Sequence, residues 1–451
     1  MTTTGITKQA KRAALSGYLG TTLEYYDFVV YGALAALVFN EVFFSNMSAT
    51  TGTLAALATG AAGYVARLAG AVTFGHFGDR IGRKKVLMVT LVVMGLASCT
   101  IGLLPTQAQI GAAAPLLLLG LRLLQGFAVG GEFGGAVLMT SEHAQRKRRG
   151  LFSSTSMMGV FTGSALSYIT VLILTAVLSD EQLVQWGWRL PFLFGFALLI
   201  LTLFIRAKVA ETPAFEAENQ EDKAENTSPF IELLRTRFGT YVKAVGLQLA
   251  GLAGQGVFFI FLLAYAQTQG YSRMTTIAAA TLGSILGLIM TPLFAAFSDR
   301  VGRRPIVLWS SLGTVVLAFP MFWLIHTGNP TVLIASVGLY SALVMTPVLA
   351  VAPAMLTELF PTKLRYTGVS MTYQTVQIIG PGLGPVAAAS IIAAAGGSTT
   401  WVSLALVGCG AISVICLFLT PETRSSDITE AAAPRDRHDA GNDGAALQHT
   451  I

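Results

Sequence analysis

GHFGDRIGRKK runs from Gly75 to Lys85, and AAFSDRVGRRP from Ala295 to Pro305. Both stretches contain the order Asp, Arg, aliphatic, Gly, Arg, at Asp79–Arg83 and again at Asp299–Arg303, about half the chain apart. A charged turn that returns once in each half points to a duplicated unit. What surrounds the two turns decides what kind of unit it is.

Hydrophobic residues make up 53% of the 451, charged residues only 12%, and the mean hydropathy is +0.64. A soluble globular chain carries about 25% charged residues. The apolar surplus falls in runs of the length, about 20 residues, that crosses a bilayer as a helix. Such runs lie near 13–40, 51–77, 86–104, 113–140, 150–178 and 188–206, and near 241–268, 276–298, 305–325, 330–357, 367–394 and 400–419. The sequence therefore predicts an all-α membrane protein of twelve transmembrane helices. Residues 1–206 form an N-terminal six-helix half, 207–240 a polar linker, and 241–420 a C-terminal six-helix half. Residues 421–451 form a polar tail expected to be disordered. Each charged turn falls between the second and third helix of its half.

Charge placement gives the orientation. With the N-terminus inside, 25 of the 29 Lys and Arg fall in inside loops and tails, and only Arg189 and Arg273 fall outside. That bias predicts both termini on the cytoplasmic side of a cell membrane. It also explains the net charge of +6 as a topology signal, which argues against a nucleic-acid partner. Cys99, Cys409 and Cys416 all lie in apolar runs with no CxxC pair, so neither a metal site nor a disulfide is expected. No hydrolase, zinc or Walker pattern is present, so no enzyme activity and no cofactor are expected. No short apolar stretch precedes a small-residue cleavage site, so no cleaved signal is expected.

The two turns, the arginine in GLRLLQGFAVGGEFGG and PETR at 421–424 together resemble the signature motifs of the major facilitator superfamily. LEYYDFVVYG, YVARLAGAVTFGHFGDRIGRKK, WGWRLPF and ELFPTKLRYTG resemble, more narrowly, its metabolite:H⁺ symporter family. That family includes permeases for shikimate, α-ketoglutarate, citrate, and proline or betaine. The resemblance implies a monomeric secondary transporter whose halves rock around a central site. It also implies that Asp79, Arg83, Asp299 and Arg303 latch the cytoplasmic side, with Glu142 an acid that Arg83 can reach.

Ionisable residues inside a span are costly and mark function. Here they are Glu24 and Asp27 in the first helix, Arg67 in the second, and Arg122 and Glu132 in the fourth. All lie in the N-terminal half. Glu24 and Asp27 are spaced to share a helical face that Tyr31 extends. Asp27, Glu132 and Glu24 are the candidates for proton coupling; Arg67 and Arg122 are candidates for clamping an anion. The C-terminal half offers amides and hydroxyls: Gln248, Gln255, Tyr373 and Gln377 as further substrate-binding candidates. Tyr25 and Tyr26 read as lipid-facing, and Gln248 as an interhelical hydrogen bond. Phe258, Phe259 and Phe261 suit either a hydroxylated ring or plain packing. Glycines at 126, 130 and 134, at 159 and 163, and at 283 and 287 are spaced for close helix contact. GPGLGP at 380–385 reads as a helix break.

The expected function is proton symport of a small organic acid. The alternatives are proton symport of a zwitterion such as proline or betaine, and export by proton antiport. The acids and arginines also suit fixed ion pairs that hold the helices in register.

Overall fold

The computed structural model describes residues 8–81, 83–142, 148–207 and 229–425. The side chains of Asp79, Arg83 and Glu142 lie outside the described residues, as do the linker at 208–228 and the tail beyond 425.

The long helical segments of the first half are α1 (Lys8–Leu37), α2 (Ala49–Ile81), α3 (Arg83–Leu103), α4 (Ala113–Gly135), α5 (Arg149–Val177) and α6 (Gly187–Ile205). Those of the second are α7 (Phe238–Thr268), α8 (Arg273–Val301), α9 (Arg304–Ile325), α10 (Pro330–Leu359), α11 (Leu364–Ala394) and α12 (Thr400–Phe418). No strand occurs among the described residues. Ten of these helices, all but α1 and α3, are long and apolar enough to cross a membrane. In α3 the apolar stretch is shorter, Met88–Leu103, and α1 carries charges at its start and at Glu24 and Asp27.

Burial separates a core from a rim. The apolar windows of α7 and α10 are 83% and 72% buried, against 33% for α6 and α12. Outward-facing residues such as Leu103, Val177, Trp309 and Phe418 are 61–74% exposed and apolar, a surface suited to lipid. The first six helices meet the second six along α5 with α8, and along α2 and the end of α4 with α11.

Glycine lets backbones touch where a Cβ would collide. A methyl at Gly126 would meet the carbonyl of Gly63, and one at Gly130 that of Arg67, so α4 lies directly on α2. Gly159 and Gly163 bring α5 onto α1 at Tyr18 and Thr22. Gly134 abuts Ser370 of α11, across the two halves, and Gly287 of α8 admits the ring of Phe161.

Three of the inner helices contain π-helical turns: Gly256–Phe261 in α7, Ser341–Met345 in α10 and Ile378–Leu383 in α11. The last corrects an expectation. GPGLGP does not break the helix; it sits at the end of a π turn from which the helix continues as Gly384–Ala394. Pro381 has no N–H to donate, and the wider turn accommodates the lost bond. Gly380 and Gly256 there form a close α7–α11 backbone contact. At the end of the polar linker, Pro229–Thr236 forms a short helix.

A candidate substrate and proton site between the two halves

The site is organised around the ring of Phe28 on α1. The Arg67 guanidinium carbon lies 3.7 Å from its centroid and that of Arg122 lies 4.4 Å away, so two cations flank one aromatic ring. Arg67 donates to Glu24 at 2.7 Å, and both side chains are 1% exposed. Arg122 rests on Tyr31 at 3.9 Å and donates to Gln125 Oε1 at 2.5 Å. Its Nε has no hydrogen-bond partner among the described residues. The bare backbone of Gly63 makes room for it: a Cβ there would come within 3.2 Å of Arg122 Nη2.

Glu24, Phe28 and Tyr31 occupy successive turns of the α1 face that looks toward α2. Asp27 sits on the flank of that face. It faces Ser98 of α3, Gln125 and Arg122 of α4, and Gly195 of α6, where a Cβ would lie 2.8 Å from Asp27 Oδ1. Asp27 is 1% exposed, and neither of its carboxyl oxygens meets hydrogen-bond geometry with any described residue. Ser98 Oγ and Gln125 Nε2 are likewise buried, and both face Asp27. Three buried polar side chains thus converge where α1, α3 and α4 meet.

Arg122 also borders a narrow cleft, part of it open to solvent. Phe28, Tyr31 and Tyr64 line it from the first half, and Ile260, Pro381 and Pro385 from the second. Nearby, Tyr25 and Tyr373 share a hydrogen bond across the halves, and Gln377 Nε2 donates to the same Tyr25 hydroxyl. Tyr373 stacks on Phe133 with centroids 3.4 Å apart. Tyr366 and Gln374 of α11 donate to the carbonyls of Gly131 and Gly130 at 2.8 and 3.3 Å.

Several expectations need correction. Tyr25 and Tyr26 do not face lipid: both are buried, and Tyr26 donates to the Pro191 carbonyl at 2.8 Å. Gln248 bonds back to Ala244 of its own helix at 3.3 Å rather than to a neighbour. Gln248 and Gln255 both lie in α7 outside the cleft lining. Phe258 packs edge-on to Tyr340, and Phe261 stacks on Tyr265. Glu132, 1% exposed, opens the helix Glu132–Glu142 beyond the Gly130–Gly131 interruption, about three turns from Arg122. Phe28, Gln125 and Ser98 were not anticipated, because they are ordinary residues in apolar helices until the fold brings charges to them.

At the end of the bundle where α1 begins and α12 finishes, Asp299 accepts from the backbone N–H groups of Gly150 and Leu151 at 2.9 and 3.1 Å. Those groups open α5, so a carboxylate of the second half caps a helix of the first. Arg303 donates to Asp299 at 2.8 Å and to Glu358 at 3.1 Å, while Arg149 reaches Glu358 at 3.4 Å. Burial opposes the Arg303 charge, but Glu358 and Asp299 outweigh it and hold its pKa above the ordinary value. Glu422 of PETR accepts from the backbones of Arg303, Arg304, Thr423 and Arg424 at 2.9–3.1 Å. Burial would raise that carboxyl, yet the four donors bring it below its ordinary value. The first residues of the tail are therefore docked. Glu358 lies in the quoted ELFPTKLRYTG stretch, but its partners are distant in sequence.

Residues 17–353 match the Major Facilitator Superfamily model. The chain is 36% identical over 422 residues to the shikimate transporter of Escherichia coli K12, covering 92% of this chain and 96% of that one. It is 31% identical over 394 residues to the proline/betaine transporter of Salmonella typhimurium LT2, covering 85% and 78%. Among solved structures it superposes on a proton:xylose symporter with a TM-score of 0.73, at 18% identity over 92% of this chain and 96% of that one. An inward-open form of the xylose transporter from E. coli gives 0.69 at 20% identity, over 93% and 98%. The helical halves, the repeated turn and these relatives agree: the chain is a multi-pass membrane transporter of the Major Facilitator Superfamily and not an enzyme.

Proposed function

We propose that this protein carries a small organic acid together with a proton, by alternating access around the Arg122 cleft. In this reading α1 and α3 also cross the bilayer, which makes twelve spans in two six-helix halves. Both termini lie on the cytoplasmic side, in keeping with the placement of Lys and Arg. The protein acts as a monomer in the cell membrane.

Asp27 carries the reading. An ionised carboxylate buried away from water costs several kcal/mol unless it is paired, and Asp27 is 1% exposed with Arg122 as the cation facing it. Two events can relieve the cost: uptake of a proton, or closer approach of Arg122. They compete, so loading a proton on Asp27 releases Arg122 for an anion. Arg122 is the clamp because its fork matches a carboxylate and it borders the cleft. Tyr31 positions it. Glu24 and Arg67 form the neighbouring pair, and Glu132 is a second proton-handling acid. Tyr373 and Gln377, with Tyr25, close the cleft on one side, and Asp299 and Arg303 latch the cytoplasmic end together with Asp79, Arg83 and Glu142.

The proline/betaine relative supports a second reading, in which the α1 acids hold the cationic end of a zwitterion. Uptake into reconstituted vesicles separates the two. Labelled shikimate should accumulate under an inward proton gradient, and Asp27→Asn should abolish that accumulation while leaving exchange across vesicles measurable. Accumulation of proline or betaine in place of any acid would favour the zwitterion.

A further inference from the structure

We infer that the cleft selects a monovalent carboxylate, taken up with one proton in an electroneutral step. This rests on the symport reading above and deepens it. The argument is a count of charges around the cleft.

Two guanidiniums flank Phe28, but only one is available. Arg67 is held by Glu24 at 2.7 Å with both groups 1% exposed, and Arg67 is absent from the cleft lining. Arg122 borders the cleft, and it donates to a neutral amide, Gln125. The groups facing Arg122 are Tyr31 and Asp27 of α1, Tyr64 and Arg67 of α2, and Gln125 of its own helix. Those facing Asp27 are Ser98 and Cys99 of α3, Arg122 and Gln125 of α4, and Tyr26 beside it. Asp27 is thus the counter-charge that Arg122 has within reach, and Gln125 stands between them. Its Oε1 is on Arg122 and its Nε2 faces Asp27.

A proton added to Asp27 removes one negative charge. Arg122 then has one positive charge unbalanced, which one carboxylate neutralises. The rest of the lining is aromatic and aliphatic, so a second carboxylate on the substrate would enter apolar surroundings with no cation to meet it. One proton in and one monoanion in move no net charge. Gln125 is a positioning residue here: its amide passes the charge state of Asp27 to Arg122.

The test uses the full-length protein in vesicles with labelled shikimate. One arm imposes a proton gradient with the membrane potential clamped at zero; the other imposes a potassium diffusion potential with no proton gradient. The first arm should drive accumulation. For each net charge moved, a roughly tenfold potassium gradient would change accumulation roughly tenfold, so the second arm should change it less than roughly twofold. Unlabelled α-ketoglutarate and citrate should not compete. Glu24→Gln releases Arg67, and in vesicles that still take up shikimate it should make α-ketoglutarate a competitor. Uptake driven by the potential, or strong competition by di- or tricarboxylates in the parent protein, overturns the inference while leaving acid symport standing. So does an unchanged selectivity in Glu24→Gln. If no acid accumulates in either arm, the symport reading itself fails, and this inference with it.

Discussion

The two ends of the bundle are closed in different ways. Where the chain begins and ends, Arg303, Glu358, Arg149 and Asp299 form a network whose central pair is 1% and 0% exposed. At the opposite end one residue of the second half, Arg273, spans to Glu41 and Asp180 of the first at 3.0 and 2.9 Å. There the acids are 48% and 85% exposed. Breaking a buried, hydrogen-bonded pair by removing one partner costs about 3–5 kcal/mol, whereas an exposed pair contributes about 0.2–1 kcal/mol. The arrangement is therefore firmly shut at one end and lightly pinned at the other, so the lightly pinned end should open first.

Removing Glu358 is the strongest way to break that contrast. Glu358→Gln leaves Arg303 and Arg149 buried without a carboxylate at the shared position and should destabilise the closed end by about 3 kcal/mol. Ser370, buried against Gly134 at that end, reports it. In a background with the three native cysteines replaced, Ser370→Cys should react slowly with a thiol reagent, and at least tenfold faster once Glu358→Gln is added. Equal rates would mean that the network does not hold this end closed.

A smaller effect should follow from Glu422, which touches the network through backbone donors alone. Its folded-state pKa lies below the ordinary value of 4.5. Its contribution is thus complete above that value and is lost as pH falls through the lower, folded one. Glu422→Gln should cost about 1 kcal/mol near pH 7, below the usual ~1.5–3 kcal/mol for a charged acceptor because the group is half-exposed. Thermal unfolding should show the difference between parent and variant constant from pH 7 to 5 and shrinking below. A difference that grows on acidification would reverse the sign argued here.

The least effect belongs to Arg273→Ala. It should lower stability by less than about 1 kcal/mol, and the loss should fade as salt is raised. A loss as large as that of Glu358→Gln would erase the contrast between the ends.

Much of the architecture was legible in the chain itself. Ten of the twelve apolar runs stand as helices long and apolar enough to cross a membrane, and the glycines every four residues mark the α2–α4 and α1–α5 contacts. The buried charges stood out because each interrupts an apolar run. Their pairing did not: Glu24 and Asp27 are three residues apart, yet one meets α2 and the other turns to α3, α4 and α6. Tyr25 and Tyr26 were misread for a related reason. A helix enclosed on all sides has no polar face to set against an apolar one, so its pattern does not say which way a tyrosine points. Glu358 and Arg149 are 209 positions apart, and only the closed fold brings them together.

The π turn in α11 leaves a mark on chain length. Such a turn holds one residue more than an α-helix needs, and each residue of an α-helix advances the chain by about 100° around the axis. The wide turn absorbs that offset, so deleting one residue between Ile378 and Leu383 would close it to regular α-helix, keeping Gly384–Ala394 near its present face and flattening the wall at Pro381 and Gly382. The shape of the wall is thus recorded in a count of residues as much as in their identity. A single-codon deletion there would remodel the cleft without removing any charged side chain.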